Sequence, residues 1–262
     1  GAYGEIAALD YFPKAKLLPA KSFQTVFETL ESGKANFAVV PIENSIEGSI
    51  NETYDLLLKT SMVVCGEIYQ RIRHCLIANP GTSNSEITAA YSHPQALAQC
   101  RAYLQKKGLE PIPTYDTAGA VKLVKQEKMM QAAAIASKRA ANLYGMRILE
   151  ESIEDKKNNY TRFLILSKVQ SKPTGHDGTS IIFSVRHTPG ALYGILEEFA
   201  KRRINLTKIE SRPTKEVPWE YNFYVDFEGH SHDKEIRELI KAVKKKTLFI
   251  KILGSYKKGK LY

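Results

Sequence analysis

The stretch Trp219-Glu-Tyr-Asn-Phe-Tyr-Val-Asp-Phe-Glu228 carries more information about the fold than any other part of the sequence. Aromatic or aliphatic side chains occupy its odd-numbered positions, and polar side chains or tyrosine occupy the even-numbered ones. Successive side chains of a β-strand point to opposite faces, so the alternation predicts a strand with one face in a core. We expect the aromatic face to lie under helices and an acidic row, with Glu220, Asp226 and Glu228, to point outward.

The elements around this strand complete the order βαββαβ. Further strands are predicted over residues 179–186, 205–212 and 247–256. Two helices are predicted between them from apolar residues at i, i+3, i+4 and i+7, the stripe that a helix buries against a sheet. The two stripes are Leu192, Ile195, Leu196 and Phe199, and Ile236, Leu239, Ile240 and Val243. This order predicts an α+β ferredoxin-like sandwich with both helices on one face of the sheet.

A polar segment without periodicity, residues 169–178, precedes this region and is interpreted as a linker. It divides the chain into a first domain, residues 1–168, and a second, residues 179–262. In the first domain, short apolar runs such as residues 37–40 and 75–78 alternate with amphipathic helical patterns. Such alternation is typical of an α/β domain, and we expect its sheets to be largely parallel.

The positive charge of the chain is concentrated near its end. The sequence has 38 Lys and Arg against 28 Asp and Glu, a formal charge of +10. Eight of the basic residues lie between residues 241 and 260, where there is no acidic residue. Ferredoxin-like folds that bind RNA need exposed aromatics and basic residues on the open sheet face. The acidic row expected on that face argues against a nucleic-acid partner, and we interpret the lysines as a solvated surface.

The location and the cofactor content can also be predicted from composition. No apolar run approaches the about 18 residues that a membrane span needs, and the chain does not begin with a signal-peptide pattern. Cys65, Cys75 and Cys100 are widely spaced, which favours reduced thiols and a cytoplasmic location. His230 and His232 lie in a loop segment without a third ligand nearby. We therefore expect no membrane partner, no metal site and no cofactor.

Four segments of the first domain place small or polar residues near the ends of predicted strands, where open α/β sheets collect ligands. They are Gly1-Ala-Tyr-Gly-Glu5, Pro41-Ile-Glu-Asn-Ser-Ile-Glu-Gly-Ser-Ile50, Ser92-His-Pro-Gln-Ala-Leu97 and Asn159-Tyr-Thr-Arg-Phe163. Each also has a purely structural interpretation. Ser49 with Glu52, and Ser92 with Gln95, fit the capping box of a helix start. Because free N–H groups at helix starts also bind anions, the pattern fits either simple caps or an anion-binding cleft.

Taken in order, these segments resemble the signature segments of the prephenate dehydratase family. The matching positions are Asn44-Ser45 with Gly48-Ser49, then Ser92 to Leu97, then Asn159 to Phe163. The second domain resembles an ACT regulatory domain, whose phenylalanine-binding motifs match Gly190-Ala191-Leu192 and Glu210-Ser211-Arg212-Pro213. The resemblance covers nearly the whole chain. The segment Tyr3-Gly4-Glu5 is only a loose match to the family's first loop.

The resemblance implies a bilobal, periplasmic-binding-protein-like catalytic domain followed by the ACT domain. It also implies an enzyme that converts prephenate to phenylpyruvate in L-phenylalanine biosynthesis. Thr161 would be the catalytic residue and would donate a hydrogen bond to the leaving oxygen. Arg162 would point to the opposite face of a regular strand and is left out of the substrate contacts. The substrate-binding residues would be Asn44, Ser45, Gly48, Ser49, His93 and Gln95.

L-Phenylalanine is the allosteric effector that the resemblance implies. Its binding residues would be Gly190, Ala191, Leu192, Asn205, Leu206, Glu210, Ser211 and Arg212. A Pro-Gly helix start explains the first of these motifs equally well on backbone grounds. Since ACT domains pair across subunits, a homodimer is the minimum expectation and a homotetramer is a further one.

Two alternatives stay open at this point. Within enzymes, arogenate dehydratase differs only by an amine in place of a keto group on the substrate. Outside enzymes, a non-catalytic sensor could join a binding-protein-like cleft to an amino-acid-sensing domain. The residue Thr161 favours an enzyme, because a donor at the leaving oxygen has no evident use in a sensor.

Overall fold

The computed structural model of the chain describes residues 1–215 and 219–260. The helices are α1 (Tyr3–Tyr11), α2 (Phe23–Glu31), α3 (Asn51–Lys59), α4 (Pro94–Gln99), α5 (Arg101–Lys107), α6 (Thr117–Gln126), α7 (Lys138–Tyr144), α8 (Ala191–Lys201) and α9 (Lys234–Lys246). The strands are β1 (Phe37–Asn44), β2 (Gly48–Ser49), β3 (Val63–Arg71), β4 (Cys75–Ala78), β5 (Ala89–Ser92), β6 (Glu110–Pro113), β7 (Ala132–Ala136), β8 (Arg147–Glu151), β9 (Tyr160–Ser167), β10 (Asp177–Ser184), β11 (Leu206–Pro213), β12 (Tyr221–Glu228) and β13 (Phe249–Lys257). None of the helices in the described ranges has the length and apolar character to cross a bilayer.

The chain divides into two compact units. Unit 1 comprises Gly1–Leu17, Glu43–Ser49 and Gln70–Thr161. Unit 2 comprises Leu18–Ile42, Ile50–Tyr69 and the chain from Arg162 onward. Strands β1, β3 and β9 each contribute residues to both units, and their four-stranded sheet has the order β2-β1-β9-β3.

The five-stranded sheet of unit 1 is mixed, so the expectation of a largely parallel sheet was wrong. Its order is β6-β5-β7-β4-β8. Strand β5 is parallel to β6 and to β7, whereas β4 is antiparallel to β7 and to β8. Strands β4 and β7 are buried throughout, with alternate residues in two core clusters. A short apolar run that is buried on both faces fits a parallel strand and an antiparallel strand equally well. The sequence pattern therefore does not specify strand direction.

The βαββαβ prediction for the second domain is confirmed. Its sheet has the order β11-β12-β10-β13 and all neighbours are antiparallel. Both predicted helical stripes pack onto one face, where Ile195, Phe199, Leu239 and Val243 share a core with Phe227. The clean alternation therefore identified the buried aromatic face correctly.

The opposite face of this sheet is covered in part, so the expected open acidic row is only partly present: Asp226 is covered, while Glu220 is exposed. In unit 2, Tyr224 and Tyr256 belong to the same core as Val40 and Leu57, and Asp226 is bonded to Arg162. Alternation shows which side chains share a face, but it carries no information about a second layer on that face. The expectation that there is no nucleic-acid partner stays a prediction.

Two details of the second domain also differ from the prediction. Strand β12 begins at Tyr221 because Trp219 has a left-handed φ of 68° and its side chain is 76% exposed. The C-terminal lysines are not simply a solvated surface, since the Lys251 ammonium donates to the carbonyl oxygens of Leu57 and Leu58, both at 2.9 Å. These carbonyls belong to the last turn of α3, where no intrahelical donor remains. Lys251 therefore caps α3 within unit 2.

Candidate active site

Asn44 and Thr161 meet in unit 1, where the end of β1 lies beside the start of β9. The Asn44 side-chain Nδ2 lies 3.0 Å from Thr161 Oγ1 and 2.8 Å from Asn159 Oδ1. Asn44 and Thr161 are 7% and 8% exposed, and Asn159 is fully buried. Buried polar groups of this kind are stable only when they are hydrogen-bonded, so the cluster has one preferred arrangement.

The orientation of the Asn44 amide is fixed by two backbone donors. The N–H groups of Ile46 and Glu47 both donate to Asn44 Oδ1, each at 3.0 Å. A backbone N–H can only donate, so the atom that it faces must be the amide oxygen. The Asn44 NH₂ group consequently faces three acceptors, of which Asn159 Oδ1 and Thr161 Oγ1 are nearer than the Tyr160 carbonyl at 3.2 Å.

The Thr161 hydroxyl is therefore oriented to donate a hydrogen bond. Its oxygen accepts the hydrogen bond from Asn44, which turns the hydroxyl hydrogen away from that side. Within residues 1–215 and 219–260, no protein acceptor takes this hydrogen. Accepting one hydrogen bond polarises a hydroxyl and strengthens the bond that it donates. The arrangement can therefore present a polarised O–H group to a bound molecule.

The segment around Ser45 builds the hairpin that carries Asn44. The Ser45 hydroxyl donates to the Asn158 carbonyl at 3.0 Å and accepts from the Tyr160 N–H at 2.9 Å. Gly48 has a φ of +82°, a conformation that favours glycine. It pairs with Asn44, and Ser49 pairs with Glu43, in the antiparallel β1–β2 ladder. Ser45 thus links the end of β1 to the start of β9 by two hydrogen bonds. Gly48 and Ser49 lie on the hairpin beside it.

Neither predicted capping box is present. The N-cap of α3 is Ile50, without a side-chain bond, because Ser49 is held in β2. The N-cap of α4 is His93, whose Nδ1 accepts from the Gln95 N–H at 3.2 Å. Ser92 is buried and donates instead to a backbone carbonyl of β7. Pro94 at the first helical position explains the shift, since it fixes the start of the helix one residue later.

His93 and Gln95 therefore occupy the start of α4 in the same unit as Thr161. Gln95 is exposed and His93 is half-buried. In the described ranges no hydrogen bond joins either residue to Asn44 or Thr161. Their role in substrate binding stays a prediction.

Two residues that were not predicted, Gln99 and His74, extend the Thr161 cluster. Asn159 Nδ2 donates to Gln99 Oε1 at 2.9 Å, and the same oxygen lies 2.9 Å from His74 Nε2. Gln99 is the last residue of α4, one turn beyond the predicted Gln95. That spacing was a usable signal, because residues four apart lie on the same helix face. His74 lies between two strands and had no such signal.

Arg162 points away from Thr161, as the strand alternation predicted, and belongs to unit 2. Its guanidinium donates to Glu67 at 2.7 Å, to Asp226 at 2.5 Å and to the Tyr256 hydroxyl at 3.0 Å. Burial alone would lower the pKa of Arg162, but the surrounding negative charges, that of Asp226 foremost, raise it well above its usual value. Arg162 therefore stays charged, and its contacts are with protein groups of unit 2.

The predicted phenylalanine-binding residues all lie in the ferredoxin-like domain. Gly190 caps α8 with a φ of +80°, and no described atom lies within 4 Å of the place where a Cβ would stand. Ala191 and Leu192 begin α8, Asn205 and Leu206 stand at the entry to β11, and Glu210, Ser211 and Arg212 lie further along β11. Arg212 contacts α3, since its Nη2 lies 3.4 Å from an Asp55 carboxylate oxygen.

Comparison with known proteins shows the family. A model of prephenate dehydratase matches residues 1–171, which is more than half of the chain. The chain belongs to the prephenate dehydratase family. A model of the ACT domain matches residues 179–245.

Curated relatives agree with the family match. A bifunctional chorismate mutase/prephenate dehydratase of Aquifex aeolicus is 44% identical over 259 residues, covering 97% of this chain and 70% of the relative. The arogenate dehydratase/prephenate dehydratase 2 of Arabidopsis thaliana is 42% identical over 267 residues, covering 98% and 70%. The chain is thus similar both to a relative whose dehydratase is named for prephenate and to one named for arogenate and prephenate.

Solved structures share the fold. A prephenate dehydratase of Arthrobacter aurescens in complex with L-Phe has a TM-score of 0.91 at 30% identity, covering 98% of this chain and 87% of that one. GqqA, described as a novel type of quorum quenching acylase, has a TM-score of 0.91 at 32% identity, covering 98% and 94%. The α/β-plus-ACT architecture is therefore that of the family. Similarity of fold alone does not identify the reaction.

Proposed function

We propose that this chain catalyses the decarboxylating dehydration of prephenate to phenylpyruvate, a step of L-phenylalanine biosynthesis, and that L-phenylalanine regulates it. The observation that carries the proposal is the Thr161 hydroxyl, whose oxygen accepts from Asn44 at 3.0 Å and whose hydrogen faces no protein acceptor in the described ranges. Family membership supplies the reaction class, and the hydroxyl supplies the donor that the reaction needs.

The chemistry explains why one well-placed donor is enough. The ring carboxylate leaves as carbon dioxide, and the electron pair of its C–C bond moves into the ring as the ring C–O bond breaks. The departing oxygen gains negative charge in the transition state, and a donor placed there lowers the barrier. Thr161 would give this hydrogen bond, and the bond from Asn44 would make the Thr161 hydroxyl a stronger donor. Aromatisation of the ring drives the reaction forward.

In this proposal Asn44 orients the Thr161 hydroxyl and does not itself bind a substrate carboxylate. Its oxygen accepts two backbone N–H groups, and its amide hydrogens face Asn159, Thr161 and the Tyr160 carbonyl. Contacts to the substrate carboxylates would come instead from Ser49, His93 and Gln95. The exposed position of Gln95 at the start of α4 fits this role.

L-Phenylalanine is proposed to bind the ACT domain. Support comes from the ACT match over residues 179–245 and from the L-Phe complex of the Arthrobacter aurescens relative. The open space beside the Gly190 backbone fits a ligand there. Glu210 and Ser211 would complete the site. Arg212 also contacts Asp55 of α3, so it would link the phenylalanine motif to that helix.

The remaining proposals concern organisation. We place the catalytic domain at residues 1–168, the linker at 169–178 and the ACT domain at 179–262. The two family matches leave residues 172–178 unassigned between them, which supports this division. Homodimeric or homotetrameric assembly is proposed for the whole chain. A cytoplasmic location is supported by three thiols that stay unpaired.

The test is to supply the purified chain with prephenate or arogenate, each with and without L-phenylalanine, and to quantify the aromatic product. We expect phenylpyruvate from prephenate, at a rate that L-phenylalanine changes. Product from arogenate alone would make the chain an arogenate dehydratase. Product from neither substrate would contradict the enzyme and leave the non-catalytic sensor.

A further inference from the structure

The hydrogen bonds that reach Thr161 form one continuous chain in unit 1. They run from the Asn44 amide to the Asn159 amide, then to the Gln99 amide, and end on the imidazole of His74. Each of these links is 2.8–2.9 Å long. His74 is 2% exposed, so water does not compete for its nitrogens. The last member of the chain is the only one that can titrate near neutral pH.

The direction of donation along this chain is determined from one end. The N–H groups of Ile46 and Glu47 hold the Asn44 oxygen, so the Asn44 NH₂ group must donate to Asn159 Oδ1. The Asn159 NH₂ group then faces Gln99, which must present its own oxygen. Reversing any amide would place two donors or two acceptors face to face in a buried site, which leaves groups without partners.

Two links converge on that Gln99 oxygen, which fixes the state of His74. An oxygen that already accepts from Asn159 can only accept from His74, so the hydrogen must be on His74 Nε2. The competing tautomer would place the hydrogen on Nδ1, which faces the Tyr3 oxygen at 3.4 Å. That contact is longer than the link between Nε2 and Gln99, and so is the weaker of the two. The shorter 2.9 Å link to Gln99 therefore decides the tautomer.

We propose that His74 is a positioning residue for the reaction, which acts as the neutral Nε2–H tautomer and, through Gln99 and Asn159, supports the Asn44 amide in the orientation that the Ile46 and Glu47 N–H groups set and that directs the Thr161 hydroxyl. This inference rests on the proposed function. If His74 presented an acceptor to Gln99, the Gln99 and Asn159 amides would reverse. The Asn159 NH₂ group would then face Asn44 and compete with the bond that orients Thr161. His74 touches neither the substrate nor the reacting atoms in this account.

The surroundings of His74 agree with a neutral ring. Burial lowers the pKa of its imidazole, while the Gln99 bond and the Glu154 carboxylate raise it by less. Glu154 accepts the His74 backbone N–H at 2.9 Å, and Tyr3 lies edge-on to the ring. Burial also raises the pKa of Tyr3, so that neighbour stays neutral as well. Among the described residues, Glu154 is the charged one that acts on the pKa of the ring.

The first test reads the tautomer directly and does not depend on turnover. Nitrogen-15 spectra of the histidine side chains, with His74 assigned by its absence in His74→Gln, distinguish the two neutral tautomers and the imidazolium. We expect the Nε2–H tautomer for His74 at pH 8. The Nδ1–H tautomer or the imidazolium would overturn the proposal, even if the chain turned over neither prephenate nor arogenate.

The second test compares matched variants in steady-state assays with prephenate. His74→Gln keeps an N–H donor at the position of Nε2, whereas His74→Leu removes it. We expect kcat to fall by about 10- to 100-fold in His74→Leu with KM changed by less than about threefold, and the Gln variant to stay within about threefold of the parent. His187→Gln, at an exposed position of unit 2, should be unchanged. Equal losses in the Gln and Leu variants, or no loss in either, would overturn the proposal.

Discussion

At the scale of single residues, the amide of Asn44 joins the backbone of its own hairpin to the hydroxyl of Thr161. Its oxygen needs donors, which Ile46 and Glu47 supply, and its nitrogen needs acceptors, which Asn159, Thr161 and the Tyr160 carbonyl supply. An asparagine amide offers an acceptor oxygen and a separate nitrogen with two donor hydrogens, which neither a hydroxyl nor a carboxylate of similar size does. The identity of the residue at position 44 therefore follows from the geometry of the turn and of the neighbouring strand together.

The substitution Asn44→Asp separates these two functions. A carboxylate still accepts the two turn N–H groups, but it cannot donate to Thr161, so the hydroxyl loses its orientation. We expect kcat on prephenate to fall by about 10²–10³, the loss typical of a positioned donor. Asn158→Asp introduces the same charge at an exposed neighbouring position and should change kcat little. Equal effects of the two variants would assign the loss to charge alone.

His74 makes stability depend on pH in a defined direction. Burial lowers the pKa of His74 in the folded chain, while the unfolded chain titrates near its ordinary value of about 6.5. Below about pH 6.5 the unfolded chain binds the proton first, so the free energy of unfolding falls as the pH is lowered, until the folded imidazole also titrates. Urea unfolding at pH 8 and pH 5.5 measures this fall. His74→Gln should lose part of it, and an unchanged pH dependence in that variant would contradict the assignment.

At the scale of elements, Gly254 of β13 sets how closely β13 and β3 approach within unit 2. Its φ is +155°, and a Cβ built there would overlap the carbonyl oxygen of Val64. Backbone atoms of a packed strand cannot move aside cheaply. We expect Gly254→Ala to lower the melting temperature substantially.

Gly178→Ala is the matched control for that prediction, because it adds the same methyl group to the neighbouring strand β10. A Cβ at Gly178 would meet its nearest atom at 3.5 Å, an ordinary contact. Thermal unfolding followed by circular dichroism compares the two variants. A Gly254→Ala protein as stable as Gly178→Ala would show that the close approach of β13 and β3 is not needed.

The elements also show what a sequence pattern can and cannot predict. The alternation in residues 219–228 and the helical stripes predicted the ferredoxin-like domain, because both patterns record which side chains share a buried face. The direction of β4 and the layer over Asp226 could not be predicted in this way. Strand direction depends on chain path, and a covering layer depends on segments that are distant in sequence. The cap of α4 was missed since Pro94 moved the helix start by one residue.

The candidate site was predictable only in part, for a similar reason. Thr161 and Asn44 were identified through family motifs, and the structure joins their side chains by a hydrogen bond, while their roles stay predictions. Gln99 and His74 were missed, because their importance comes from the order of donors and acceptors along a chain of buried groups. Such an order depends on distances between segments, and no spacing in the sequence expresses it. The motifs indicate where the chemistry is expected, and the hydrogen bonds show how its donor is oriented.

At the scale of the whole molecule, the link between regulation and catalysis is expected to pass through unit 2. Asp55 of α3 accepts from Lys215 at 2.6 Å and lies 3.4 Å from Arg212. Burial alone would raise the pKa of Asp55, but these two cations lower it, so the carboxylate stays charged near neutral pH. The pair joins the predicted phenylalanine motif to the helix that follows Ser49 in the sequence.

The substitution Asp55→Asn tests this link. We expect L-phenylalanine still to bind, as measured by calorimetry, but its effect on the rate of prephenate turnover to be weakened severalfold, since the ion pairs between the motif and α3 are lost. Asp10→Asn, at an exposed position in unit 1, is the charge control and should respond normally. A full response in Asp55→Asn would show that the coupling uses other contacts.

The most direct test of the account compares the parent chain with Thr161→Val, which keeps the shape of the side chain and removes the hydroxyl. Phenylpyruvate formation from prephenate is measured under saturating substrate, with prephenate binding measured separately by calorimetry. The account predicts that kcat falls by about 10²–10³ while prephenate binds with nearly unchanged affinity. Turnover near that of the parent chain would contradict it, because the leaving oxygen would then depart without the donor that the structure holds in place.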